Sequence, residues 1–172
     1  MHSNSDVLSL LLSRKPWHSL PQGLYLSQAA YDADMRDLWH REWIFAASTA
    51  ELPAAGNYVT VTLGDASIIV VRGADGIARA FHNSCRHRGS RICSATKGTS
   101  AKLVCPYHQW TYDLDGSLLW AREMSADFNP KEHGLGVVHC REVQGLIYIC
   151  LAAVAPDSGD LADQAARYLG PH

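Results

Sequence analysis

The stretch from Cys85 to His108 restricts this chain more than any other feature. It holds Cys85-Arg86-His87, then seventeen residues, then Cys105-Pro106-Tyr107-His108. Two thiolate donors and two imidazole donors arrive as two short mixed pairs, each compact enough for one tight loop. Two cysteines on one iron and two histidines on the other form the ligand set of a mixed-ligand 2Fe–2S cluster. Imidazoles are neutral, so they take negative charge off the cluster and lift its potential into a window of roughly −150 to +300 mV. Structural zinc also takes two Cys and two His, but usually pairs Cys with Cys and His with His at roughly two to four residues. Here each pair is mixed, and a single residue separates the first. The pattern favours iron and sulfide over zinc, and over four side chains that hold no metal.

The surrounding residues suit two rigid loops. Gly89, in Arg88-Gly89-Ser90-Arg91, permits a backbone turn that a Cβ would resist. Pro106 fixes its own φ between Cys105 and His108. Backbone N–H groups in such turns can point at bridging sulfides and tune the potential.

Strand signals flank these loops. Tyr58 to Leu63 alternates with period two, Gly64-Asp65 turns, and Ser67 to Arg72 is apolar and β-branched. Asp75-Gly76 is a hairpin signal before Ile77 to His82, which leads into the first loop. Leu103-Val104 feeds the second loop, and Trp110 to Leu119 reads as a hairpin turning at Asp115-Gly116. Val137 to Val143 and Leu146 to Leu151 make a last pair around Gln144-Gly145, and Trp43 to Ala47 a short first strand. Ser94 to Lys102 reads as a plain connection and Met124 to Gly136 as an irregular insertion. Short strands with repeated turns predict a mainly β chain, an antiparallel sandwich or barrel-like domain.

Helix is predicted at the two ends. Residues 1–15 read as a short surface helix, 16–26 as irregular, and Ser27 as the cap of a helix to about Arg41. Tyr31, Met35, Leu38 and Trp39 share one face of that helix and are expected to make core contacts. After residue 152 a helix is expected over Asp160 to Leu169, ending at Gly170-Pro171.

Composition narrows the function classes. A net charge of −2 provides neither a basic field for nucleic acid nor a polybasic membrane patch. No apolar run reaches the eighteen or so residues of a membrane span, and Val7 to Leu12 lacks the basic flank of a signal peptide. Five cysteines are present; Cys93, Cys140 and Cys150 lie outside the two pairs and read as reduced thiols. That fits a reducing cytoplasm. His2, His18, His40, His82, His133, His139 and His172 show no ligand spacing.

The residues Phe81-His82-Asn83-Ser84-Cys85-Arg86-His87-Arg88-Gly89 and Cys105-Pro106-Tyr107-His108-Gln109-Trp110-Thr111-Tyr112-Asp113, followed by Gly116, resemble the Rieske domain of ring-hydroxylating oxygenase α subunits. The likeness runs from about Leu20 to Leu151. Within that superfamily the two motifs are most similar to the branch that demethylates quaternary ammonium compounds such as glycine betaine and stachydrine. Aromatic-ring oxygenases mostly carry Gly where this chain has Gln109. Respiratory Rieske proteins carry two further cysteines that form a disulfide beside the cluster. Ser90 and Tyr107 stand at those places here, which implies the lower-potential oxygenase or ferredoxin kind.

The resemblance implies a Rieske-type antiparallel β-sandwich with an N-terminal helix and a small cluster-binding subdomain. Residues 1–40 would be a helical extension, 41–152 the Rieske 2Fe–2S domain with its cluster subdomain at about 82–112, and 153–172 a tail toward an absent catalytic domain. Cys85 and Cys105 would bind the inner iron, His87 and His108 the outer one. Arg86 and Arg88, with Arg91, would steady the reduced cluster or dock an acidic partner, or simply be solvated. Tyr107 and Trp110 would shield the cluster from water.

A parent enzyme of this kind also holds a mononuclear Fe(II), bound by two histidines and a carboxylate, that activates O2 for hydroxylation or N-demethylation. Nothing past His139 offers that triad, so the chain is expected to be an N-terminal portion that carries electrons without turning over substrate. Its partners would be an NAD(P)H-dependent reductase or ferredoxin, and neighbouring α subunits in a trimer. Three other readings stay open: a free-standing Rieske ferredoxin, an aromatic-ring dihydroxylase α subunit, and a zinc-folded binding module.

Overall fold

The computed structural model describes residues 4–157 and 159–169. The expected ending of the last helix at Gly170-Pro171, together with His2 and His172, lies outside them. Seven strands form one antiparallel sheet: β1 (Ile44–Ser48), β2 (Asn57–Leu63), β3 (Ala66–Arg72), β4 (Ala78–His82), β5 (Lys97–Thr99), β9 (Val137–Val143) and β10 (Leu146–Cys150). Their order is β1-β10-β9-β4-β3-β2-β5. A second sheet of three short strands, β6 (Leu103–Val104), β7 (Thr111–Tyr112) and β8 (Leu118–Trp120), lies between β5 and β9 in the chain.

The continuous apolar run in β3 has a direct cause. Ile68 and Val70 point into one core, with Ala47, Leu52, Val59, Ile147 and Ile149. Ile69 and Val71 point into the other, with Phe81, Leu103, Tyr112 and Leu118. A strand buried on both faces needs no polar alternation. The second core joins the small sheet to the large one, and Cys85, Cys105 and Trp110 lie within it. Where β3 ends, buried Arg72 donates to Leu52 O, to Gly76 O and to Glu142 Oε2, tying three segments together.

The turns follow their residues. Gln144 and Gly145 both have positive φ, 48° and 80°, as a two-residue type I′ hairpin requires. Gly116, with φ 88°, turns β7 into β8 directly against the Phe81 ring, where a Cβ would clash. In β8 the register shifts, so that Leu118 faces the core while Leu119 and Trp120 stay exposed.

Among the described residues there are four α-helices: α1 (Asn4–Leu12), α2 (Gln22–Leu26), α3 (Gln28–Asp34) and α4 (Gly159–Leu169). Ser27 caps α3 as expected, its hydroxyl accepting from Ala30 N at 3.1 Å. Three sequence expectations need correction. The span 16–26 is not wholly irregular, because α2 occupies its end. Ser94 to Lys102 contains β5, which extends the sheet beyond β2. The stripe of Tyr31, Met35, Leu38 and Trp39 is not core: Tyr31 is 51% exposed and Leu38 53%. The helix widens to a π-turn over Met35–Trp39, with His40 N bonded to Met35 O, and this breaks the one-face spacing. Among the described residues no helix is long and apolar enough to cross a membrane.

Candidate metal centre

The two Cys/His loops have the same backbone construction. In the first, Cys85 N donates to Ser90 O at 2.9 Å, and Gly89 N donates to Cys85 O at 2.9 Å. In the second, Cys105 N donates to Trp110 O at 2.9 Å, and Gln109 N donates to Cys105 O at 3.0 Å. Each loop therefore closes at the fifth residue after its cysteine and turns at the fourth through a left-handed backbone: φ is 70° at Gly89 and 61° at Gln109. The first conformation is natural to glycine; the second strains a residue with a Cβ. Gln109→Gly is expected to raise stability by about 0.5–1 kcal/mol, the relief of strain exceeding the added freedom of the unfolded chain. Denaturant midpoints of the two proteins read this directly, and a loss of stability would contradict it.

These matching loops bring the four donors together from opposite sides. Cys85 and Cys105 lie in one buried core cluster, each 2% exposed. The His87 and His108 rings meet edge to face with centroids 4.7 Å apart. His108 Nδ1 is buried without a hydrogen-bond partner. Such an orphan is costly in protein alone and suits a nitrogen that bonds a metal.

Burial first, then the neighbouring His108 and Arg88, lower the His87 pKa, so its imidazole is neutral and free to bind. Burial raises the Cys85 thiol, an opposition to ionisation that a bound iron would offset. Burial likewise pushes the Cys93 and Cys140 thiols up, to about 11.

Among the described residues no three His, Cys, Asp or Glu side chains converge on a point able to hold one metal ion. A tetrahedral zinc needs four such donors. A dinuclear cluster asks only two per iron, with sulfide supplying the rest. Two cysteines and two histidines fit the 2Fe–2S group.

Around the donors the expected neighbours divide. Trp110 is 2% exposed and its ring lies flat on His87, centroids 5.0 Å apart. The Tyr107 ring packs on His108 at 3.8 Å but stays 61% exposed, so it screens little from solvent. Arg86, Arg88 and Arg91 are exposed, and among the described residues none has a carboxylate partner.

Two buried residues given no role by the sequence reasoning hold the first loop. Asn83, 3% exposed, accepts at Oδ1 from Ile92 N and Cys93 N, and donates from Nδ2 to Cys93 O and Ser67 Oγ. Tyr112 accepts at its hydroxyl from Arg86 N at 3.0 Å and lies 3.2 Å from Cys85 Sγ. Accepting from Arg86 leaves the hydroxyl proton for the sulfur. A donor to a thiolate ligand stabilises the more negative, reduced state. Tyr112→Phe is therefore expected to lower the midpoint potential by about 40 mV, near 1 kcal/mol for one electron, with the visible spectrum retained. Voltammetry of both proteins tests this, and an unchanged potential would refute it.

The Rieske [2Fe–2S] domain family matches residues 42–141. The chain belongs to that family. Among relatives of this Rieske protein, the glycine betaine monooxygenase oxygenase subunit of Pseudomonas aeruginosa is 48% identical over 164 residues, covering 95% of this chain and 38% of that protein. The carnitine monooxygenase oxygenase subunit of Escherichia coli K12 is 34% identical over 148 residues, covering 85% of this chain and 39% of the other. Among solved structures, the quaternary ammonium Rieske monooxygenase CntA with L-carnitine superposes with a TM-score of 0.77 at 28% identity, covering 86% of this chain and 44% of that one. This Rieske protein thus spans about two fifths of the length of the curated relatives it matches.

Proposed function

We propose that Cys85 and Cys105 hold the inner iron of a 2Fe–2S cluster, that His87 and His108 hold the outer iron, and that the domain carries electrons within an oxygenase α subunit. The observation that carries the reading is the pair of matching loops that place two cysteines in one buried core and two imidazoles edge to face, 4.7 Å apart. When bound, the cluster supplies a one-electron centre. The chain's own part is to favour the neutral form of the His87 imidazole, to bury both cysteines, and to hold the two histidine rings against one another.

On this reading residues 1–40 are a helical extension, 41–152 the Rieske unit with its cluster subdomain at about 82–112, and 153–172 the link to a catalytic portion. That portion would hold a mononuclear Fe(II) and use O2 for hydroxylation or N-demethylation. Electrons would come from NAD(P)H through a reductase, in the cytoplasm, and pass between α subunits of a trimer. A small quaternary ammonium substrate is favoured over an aromatic ring. The glycine betaine relative is 48% identical, whereas the anthranilate 1,2-dioxygenase large subunit is 32% identical and the naphthalene enzyme 35%.

Anaerobic reconstitution followed by metal and sulfide analysis tests the cluster. Iron and acid-labile sulfide in equal amounts, with a rhombic signal in the reduced state, are expected. A colourless protein that takes up one zinc would end the proposal.

A further inference from the structure

One flank of the imidazole pair leads to the surface through packed rings. Trp110, flat against His87, meets Phe128 at 5.6 Å and His133 at 6.0 Å on its far side. Phe128 and His133 pack on one another at 4.4 Å. π surfaces therefore run without a break from His87 to loop 124–133, where both outer rings are half-buried.

That loop is built to hold them. Phe128 N donates to Ser125 O at 3.0 Å, and His133 Nδ1 lies 2.9 Å from Asn129 O. The Asn129 amide bonds Glu132 Oε1 and accepts from Lys131 N, while Leu135 N donates to Gly116 O and fastens the far end. Excluding water would account for the indole. It leaves unexplained a third imidazole, His133, packed edge to face on the indole and half-buried.

We propose that loop 124–133 is the electron inlet: a one-electron donor protein sets its redox centre against His133, and the electron tunnels through His133, Phe128 and Trp110 to His87. The inference rests on the reading above that His87 binds the outer iron. Electronic coupling falls off exponentially across gaps, so rings in van der Waals contact make the favoured bridge. The donor loses one electron and the cluster gains it. The rings are a bridge, with no bond or proton changing on them.

The test places the donor chemically. Exposed Glu132 is changed to cysteine and labelled with a ruthenium polypyridyl photosensitiser in the reconstituted protein, and flash-induced reduction of the cluster is timed. Adding His133→Leu or Phe128→Leu is expected to slow that reduction several-fold with an unchanged visible spectrum and midpoint potential. Trp110→Leu is expected to slow it by more than an order of magnitude. Should Trp110→Leu also move the potential, the indole would act by positioning His87, and the two loop variants alone decide the route. Rates unchanged in both loop variants would overturn the inlet and leave the ligand assignment intact. A parent protein without a cluster spectrum would instead overturn the ligand assignment and the inlet with it.

Discussion

Changing His87 and His108 together to cysteine is expected to lower the midpoint potential by at least roughly 250 mV while two irons stay bound. Mixed His/Cys clusters sit at roughly −150 to +300 mV, and all-cysteine plant-type clusters near −400 mV. The swap puts two more negative charges on the cluster, and a buried site screens them poorly. The loops should survive, because their closing bonds use the backbones of Cys85, Gly89, Ser90, Cys105, Gln109 and Trp110 and neither histidine. Protein-film voltammetry, with iron analysis of both proteins, makes the comparison. A potential that stays in the original window would mean the imidazoles are not iron ligands.

Asn83→Ala is expected to cost about 3–5 kcal/mol and to loosen the first loop before anything else. The substitution strips partners from Ile92 N, Cys93 N and Cys93 O, all in the buried end of the loop. Each buried group left unpaired costs about 1–3 kcal/mol. Against a typical total of about 5–15 kcal/mol the sum is large. Urea unfolding gives the magnitude, and hydrogen exchange should show early loss of protection over residues 84–93. A loss below about 1 kcal/mol, within the range of an ordinary surface substitution, would show that water or other groups replace the amide.

Much of this was legible in the sequence, because the decisive information is local. A ligand pair on one loop needs only its own few residues, so Cys85 with His87 and Cys105 with His108 stand out by spacing. A period-two run marked β2 and a continuous apolar, β-branched run marked β3, and the hairpins at Asp75-Gly76 and Gln144-Gly145 announced themselves by turn chemistry. What escaped depends on distant partners. Asn83 matters through Ile92 and Cys93, and Tyr112 through Cys85, 27 positions away. β5 is three residues long and exists because β2 offers it an edge. The stripe at Tyr31 to Trp39 misled because it assumed a constant helical period, which the π-turn breaks.

The twin closure of the two loops bears on how iron is acquired. Small zinc modules are often unfolded without their metal, so uptake and folding are one event. Here each ligand pair is held by its own backbone bonds and by a shared apolar core. Because those bonds avoid the four donor side chains, the chemistry of the donors can change while the loops that carry them keep their shape.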